Sequence, residues 1–132
     1  MLYDASSIQT ALRTLKEEAA PHLNNQTILD LTLYELGNII WKETRTDSNP
    51  SAARARTEAL QKLLAIMKIH RINLNDLPAI AENASRYGLT FYDSAYLTIA
   101  QSKNLTLVTE DQQLRRAAEK AGHSTTQVKK LL

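Results

Sequence analysis

The chain opens on a short apolar run, Met1-Leu2-Tyr3, that stops at the carboxylate of Asp4. Ser6 and Ser7 follow as helix-capping candidates, and Ile8, Ala11, Leu12 and Leu15 recur at the spacing of one helix face. A strand and then a helix are predicted. The same alternation returns at residues 27–29, a second short strand, with Asp30 placed to cap a helix whose buried stripe takes Leu33, Leu36 and Ile40. Gly37 in that stripe leaves room for a close approach. Asn49, with Pro50 at the first helical position, starts a third helix to about Met67, and residues 69–74 alternate well enough for a strand. Asp76 and Pro78 begin a fourth helix that Gly88 stops, and Thr90 to Asp93 has the spacing of a capping box for a fifth helix through Lys103. Residues 105–108 read as a strand, 112–121 as a sixth helix closed by Gly122, and 124–128 as a last edge strand.

Strands and helices that alternate at these lengths call for a parallel sheet with helices on both faces. The expectation is one α/β domain over residues 1–132, a three-layer α/β/α fold around a mainly parallel sheet of four to five strands. Composition agrees: 132 residues with 43% hydrophobic and 23% charged positions suit one core, and neither a low-complexity stretch nor a repeat breaks the chain. There is no cysteine, which removes thiol catalysis, cysteine-ligated zinc and iron–sulfur clusters. The longest apolar run is residues 63–67, far short of the roughly 20 that cross a bilayer, and no basic-then-apolar leader opens the sequence. A soluble, cytoplasmic protein is therefore expected.

Sixteen Lys and Arg against fourteen Asp and Glu leave a net charge of +2, which by itself names no partner. Its distribution says more. Arg115, Arg116, Lys120, Lys129 and Lys130 stand near the end of the chain against Asp111 and Glu119, a basic stretch that reads either as a solvated helix face or as a phosphate-contacting one. In open parallel sheets ligands sit outside the carboxyl ends of the strands. Four acids fall at such junctions: Asp4 after the first strand, Glu35 in the first turns after the second, Asp93 at the start of the fifth helix, and Asp111 after the strand at 105–108. Each has a purely structural reading, as an N-cap, as the third position of a capping box, or as a helix-surface acid. Capping accounts for acids near helix starts, but it gives no reason for four of them to meet at one rim of one sheet.

These residues carry a resemblance. Tyr3-Asp4-Ala5-Ser6-Ser7, Leu33-Tyr34-Glu35-Leu36-Gly37-Asn38, the segment from Tyr92-Asp93-Ser94 to Ala100, and Leu107-Val108-Thr109-Glu110-Asp111-Gln112-Gln113-Leu114 together resemble the PIN domain, and more narrowly the VapC-type toxin ribonucleases. The order Asp, Glu, Asp, Thr-x-Asp over essentially the whole chain carries the likeness. Only three residues precede Asp4, and Glu110 adds an acid beside Asp111 that the family pattern does not require.

The resemblance implies a PIN-like fold and a Mg²⁺- or Mn²⁺-dependent endoribonuclease, with Asp4, Glu35, Asp93 and Asp111 as the metal-binding and catalytic set. The chemistry is coherent, because a hard divalent cation takes oxygen ligands, and one or two carboxylates plus substrate phosphates commonly hold it. Ser6 and Thr109 match hydroxyl positions in the family motifs and would orient carboxylates as outer partners, or else cap helices. Lys42, seven residues after Glu35 on the same helix face, and Arg45 are candidate RNA contacts. His22, His70 and His123 lie away from the motifs and read as structural or surface residues. The resemblance further implies an RNA substrate, a cognate VapB-type antitoxin and a homodimer. Two other classes remain: a catalytically silent PIN-like module that binds RNA or protein, and a PIN nuclease of RNA processing. Completeness of the acid set favours the enzyme. A phosphoacceptor receiver domain would need paired acids at the first strand and a lysine after the fifth, and the sequence has neither in place.

Overall fold

The computed structural model describes every residue from Met1 to Leu132. Five strands, β1 (Leu2–Tyr3), β2 (Thr27–Leu29), β3 (Lys68–His70), β4 (Leu107–Val108) and β5 (Thr125–Thr126), form one sheet in the order β3-β2-β1-β4-β5, and every pairing is parallel. Around it lie α1 (Ala5–Leu15), α2 (Ala19–Leu23), α3 (Asp30–Thr44), α4 (Ser51–Leu64), α5 (Leu77–Tyr87), α6 (Phe91–Lys103) and α7 (Gln112–Lys120). Alternation along each strand divides the core in two, as the period of two requires. Leu2, Leu29 and Leu107 face one way and join Ile80, Tyr96, Leu97 and Leu114 of α5, α6 and α7. Tyr3, Ile28 and Val108 face the other way and join Ile8, Leu23, Leu36 and Leu64 of α1 to α4. The three-layer α/β/α architecture follows from that division.

The topology also marks a place. From β1 the chain moves outward through β2 to β3 and then returns to the other side of β1 for β4 and β5. Helix α1 leaves β1 toward one layer and α7 leaves β4 toward the other, so the sheet parts its connections between β1 and β4. A crevice opens at such a switch point beyond the strands' carboxyl ends.

Some local expectations are corrected. Asp4 itself is the N-cap of α1, accepting from the Ser7 amide, so neither serine fills that position. Helix α3 begins at Asp30, and its Oδ1 accepts from the amides of Leu31 at 3.0 Å and Ile72 at 3.4 Å, which ties the start of the helix to the chain leaving β3. The third strand ends at His70 and not at residue 74. As an edge strand it pairs only with β2, and the following segment is recruited into a 3-10 turn, Leu74–Asp76, closed by Asp76 accepting from the Asn73 amide. The last strand is likewise only Thr125–Thr126, because Val128 turns into a 3-10 segment with its side chain fully buried. A Cβ on Gly37 would meet nothing within 4 Å, so no close approach explains that glycine.

Candidate active site

Asp4 is buried at the tip of β1, only 5% exposed, and three donors surround its carboxylate. The Ser7 amide (2.9 Å) and Ser6 Oγ (2.7 Å) donate to Oδ1, and Thr109 Oγ1 donates to Oδ2. The two hydroxyls are themselves aimed by the backbone beyond β4. The Glu110 amide donates to Ser6 Oγ and the Asp111 amide to Thr109 Oγ1, each at 3.0 Å. Since an amide can only donate and an ionised carboxylate only accept, both hydroxyl protons must point at Asp4. Two parallel chains of amide, hydroxyl and carboxylate therefore clamp the end of β1 to the end of β4. Burial pushes the Asp4 carboxyl above the usual carboxylate range against the opposing pull of Thr109, Ser6 and Ser7.

Glu35 reaches the same rim from α3. Tyr96 Oη, on α6, donates to Glu35 Oε1 at 2.5 Å and lies 2.8 Å from Thr32 Oγ1, which accepts the Leu29 amide at 3.2 Å. The same donor logic fixes the direction, from the Leu29 amide through Thr32 and Tyr96 to Glu35. Thr32 and Tyr96 are both buried, so this chain runs out of the core onto one carboxylate oxygen. Burial raises the Glu35 carboxyl, the Tyr96 donation lowers it in part, and the charges of Asp4 and Asp93 raise it further. Burial first, and then Glu35, raise the Tyr96 phenol far above its ordinary range, so it stays a donor.

Asp93 lies in the first turn of α6, whose cap is Thr90: Thr90 Oγ1 accepts from the Asp93 amide at 3.1 Å. Its carboxylate accepts from no backbone amide; burial raises it first, the charges of Asp111 and Asp4 raise it further, and the Thr90 side chain lowers it in part. Asp111 caps α7, with Oδ1 accepting from the Leu114 amide at 3.1 Å. The four acids thus come from four separate elements to one rim, and Glu35 and Asp93 each feel the charge of two of the others.

A model of the PIN domain matches residues 2–120. The chain belongs to the PIN domain family. Within it the chain is a VapC-type protein: it is 39% identical over 115 residues to "Exonuclease VapC9" of Pyrobaculum aerophilum, covering 86% of this chain and 81% of the relative, and 32% identical over 101 residues to "Ribonuclease VapC3" of the same organism, covering 74% and 75%. The crystal structure of PAE2754 from Pyrobaculum aerophilum superposes with a TM-score of 0.80 at 33% identity, over 98% of this chain and 91% of that one. FitAcB from Neisseria gonorrhoeae superposes at 0.66 with 19% identity over 94% of each chain, a likeness of fold.

PIN nucleases work with divalent metal ions, and the donors here suit one. They are oxygens only, and Asp93 holds a carboxylate free of backbone amides in a half-buried setting where Asp111 and Asp4 oppose its charge. They are not a finished cage. No group of three His, Cys, Asp or Glu stands close enough to enclose an ion, so a cation would be held by one or two carboxylates and would draw its other ligands from water and phosphate.

The remaining sequence candidates separate clearly. Glu110 turns away from the rim: its Oε1 accepts from the Val128 amide at 2.8 Å and its Oε2 from Gln127 Nε2 at 3.3 Å, which anchors the C-terminal segment. Lys42 is in the last turn of α3 and Arg45 is its C-cap, with the Arg45 guanidinium 5.7 Å from the Trp41 ring centroid. His22 Nε2 meets Tyr3 Oη at 2.9 Å and His123 Nε2 meets the Leu105 carbonyl oxygen at 2.6 Å, while His70 Nε2 is buried without a partner. Sequence reasoning missed Thr32 and Tyr96. Each is three residues from a site acid on its own helix, a spacing that puts the pair on one helix face and was the available signal.

Proposed function

We propose that this PIN domain is a Mg²⁺- or Mn²⁺-dependent endoribonuclease, the toxin of a toxin–antitoxin pair. It acts in the cytoplasm as a homodimer and is held by a VapB-type antitoxin. One observation carries the reading: Asp4, Glu35, Asp93 and Asp111 converge at the switch point of the sheet, and three of them hold their protons more tightly than free carboxyls do. A catalytically silent module would have no reason to keep four carboxylates at one rim, where Glu35 and Asp93 each sit against the charges of two others. Bound there, the cation would supply a water of lowered pKa and neutralise charge growing on the phosphoryl group and the leaving oxygen.

The protein's part is to hold its ligands. Asp4 is the fixed one, with Ser6 holding one of its oxygens and Thr109 the other. Tyr96 fixes Glu35 through Oε1 and leaves Oε2 for the rim. Asp111 is oriented by its cap bond to a backbone amide, and Asp93, which takes no amide, is freer to follow the cation. Attack by water leaves 5′-phosphate and 3′-hydroxyl ends. The relative named as an exonuclease supports a second reading, in which cleavage starts at an RNA end. A circular RNA decides between the two, since an endonuclease linearises it and an exonuclease leaves it intact. EDTA should abolish cleavage and Mg²⁺ or Mn²⁺ restore it; full activity of pure protein in EDTA would refute the metal-dependent reading.

A further inference from the structure

Two residues of the basic stretch near the end of the sequence, Arg116 and Lys120, share a cavity with one acid of the rim, Asp111. A cleft of about 600 Å³ runs along α7, lined by Asp111, Gln112, Gln113, Arg116 and Lys120 of that helix region and by Tyr87 at the end of α5. Gln113 Nε2 donates to the Gly88 carbonyl oxygen at 3.0 Å and so ties the two walls together. Along this cleft the sign of charge reverses, from the Asp111 carboxylate at the rim to the Arg116 guanidinium and then the Lys120 ammonium.

Arg116 and Lys120 are four residues apart, so they sit one above the other on a single helix face. Like charges at that spacing repel and cost the helix stability. Lys120 has a local excuse, because a cation in the last turn complements the helix dipole. Arg116 has none. The ion pairs of the protein are Arg54–Glu58, Arg56–Glu43 and Arg86–Glu82, and neither cleft cation takes part in one, although Glu119 lies within a turn of Arg116. Two unpaired, mutually repelling cations in a cleft that opens on a carboxylate rim are suited to a chain of anions that ends at a cation-binding site.

We propose that the α7 cleft holds the sugar–phosphate backbone of the single-stranded RNA beside the cleaved bond, with Arg116 and Lys120 each contacting a phosphate. The proposal rests on the ribonuclease reading above and gives the substrate a direction: the strand leaves the rim over α7, on the β4–β5 side of the sheet. Arg116 lies five residues beyond Asp111 and Lys120 nine, about 7.5 Å and about 13.5 Å along the helix axis at 1.5 Å per residue. Contacts at those positions fix register without reading bases, so they set affinity and not sequence choice.

The test uses the whole protein and a short fluorescein-labelled single-stranded RNA. Binding is read by anisotropy over a salt series in Ca²⁺ and in EDTA, and cleavage is read in Mg²⁺. Arg116→Gln and Lys120→Gln should each lower the slope of log affinity against log salt by about 0.7, the value for one phosphate contact on a single strand. They should raise KM with kcat little changed, equally for RNAs of different sequence. Lys62→Gln, an exposed cation on α4, should leave the slope where it was. A double Arg116→Gln, Lys120→Gln protein that binds and cuts like the wild type overturns the cleft assignment. So does a Lys62→Gln protein that loses as much as either cleft variant. Wild-type protein that neither binds nor cuts RNA overturns the ribonuclease reading itself, and the cleft assignment with it.

Discussion

Asp4 and Asp93 carry the same functional group on the same rim and are built in opposite ways. Asp4 is buried and accepts from three donors, two of them hydroxyls aimed by the backbone after β4. Asp93 is half-buried and takes no backbone amide, and its one hydrogen-bonding neighbour is Thr90, whose hydroxyl already caps the helix. Burial raises both carboxyls; at Asp4 three hydrogen-bonding residues oppose the rise, whereas at Asp93 two like charges add to it and Thr90 alone opposes it. The contrast separates two tasks within one acid set. Asp4 joins β1 to β4 and would offer a ligand already in place, while Asp93 is an unfavourable charge that a bound cation would relieve.

Activity should hide the contrast and metal-free stability should expose it. Asp4→Asn and Asp93→Asn are each expected to lower RNA cleavage by more than the roughly 10–100-fold that outer partners of a metal site are worth. Steady-state cleavage in Mg²⁺ measures this, and full activity of either variant would remove that residue from the site. In EDTA the two should part. Asn at position 4 keeps one acceptor oxygen but sets an amide against a hydroxyl proton, which leaves a buried donor unmatched at a cost of about 1–3 kcal/mol. Thermal melts should place Asp4→Asn several degrees below the wild type and Asp93→Asn at or above it. Equal destabilisation of both would mean that Asp93 makes a stabilising contact and that the contrast is false.

Tyr96→Phe probes the intermediate case, a carboxylate held by one buried phenol. Removing the hydroxyl frees Glu35 and leaves Thr32 with nothing to donate to. An activity loss of about 10-fold or more is expected, with weaker Mn²⁺ binding by calorimetry. Thr32→Ser, which retains the hydroxyl, should stay close to wild type in both measurements. A Tyr96→Phe protein with unaltered Mn²⁺ affinity would make the tyrosine a core residue only.

The smallest effect is in the pH dependence. A carboxyl raised by folding contributes stability that is fully present below its unfolded value, 3.8 for Asp93, and is lost as pH rises through the higher folded value. In metal-free buffer, any lead of Asp93→Asn over wild type should therefore be largest near neutral pH and shrink on acidification, as the wild type takes up the proton that the amide imitates. His70, whose ring burial lowers, pulls the other way as pH falls but is common to both proteins and cancels in the difference. A difference that grows on acidification would reverse the sign assigned to Asp93.

The alternation of apolar runs and helical stripes determined the strand and helix order, and with it the parallel sheet, because periods of two and 3.6 are written into the side chains themselves. The order of Asp4, Glu35, Asp93 and Thr109-x-Asp111 likewise made the acid set legible. Short edge elements were not: β3 and β5 end where a neighbouring strand or a capping side chain stops supporting them, and no local pattern encodes that. Nor could the sequence tell Glu110 from Asp111, two adjacent acids, until the fold turned one toward Val128 and gave the other to the cap of α7. Tyr96 met Glu35 only because the early turns of α3 and α6, from opposite layers, come together beyond the strand ends, 61 residues apart along the chain. Chemical identity and periodicity are local properties that a sequence states directly. Which polar groups find partners, and which charges are left to repel one another, depends on side chains that only tertiary packing brings within reach, and that set the difference between Asp4 and Asp93.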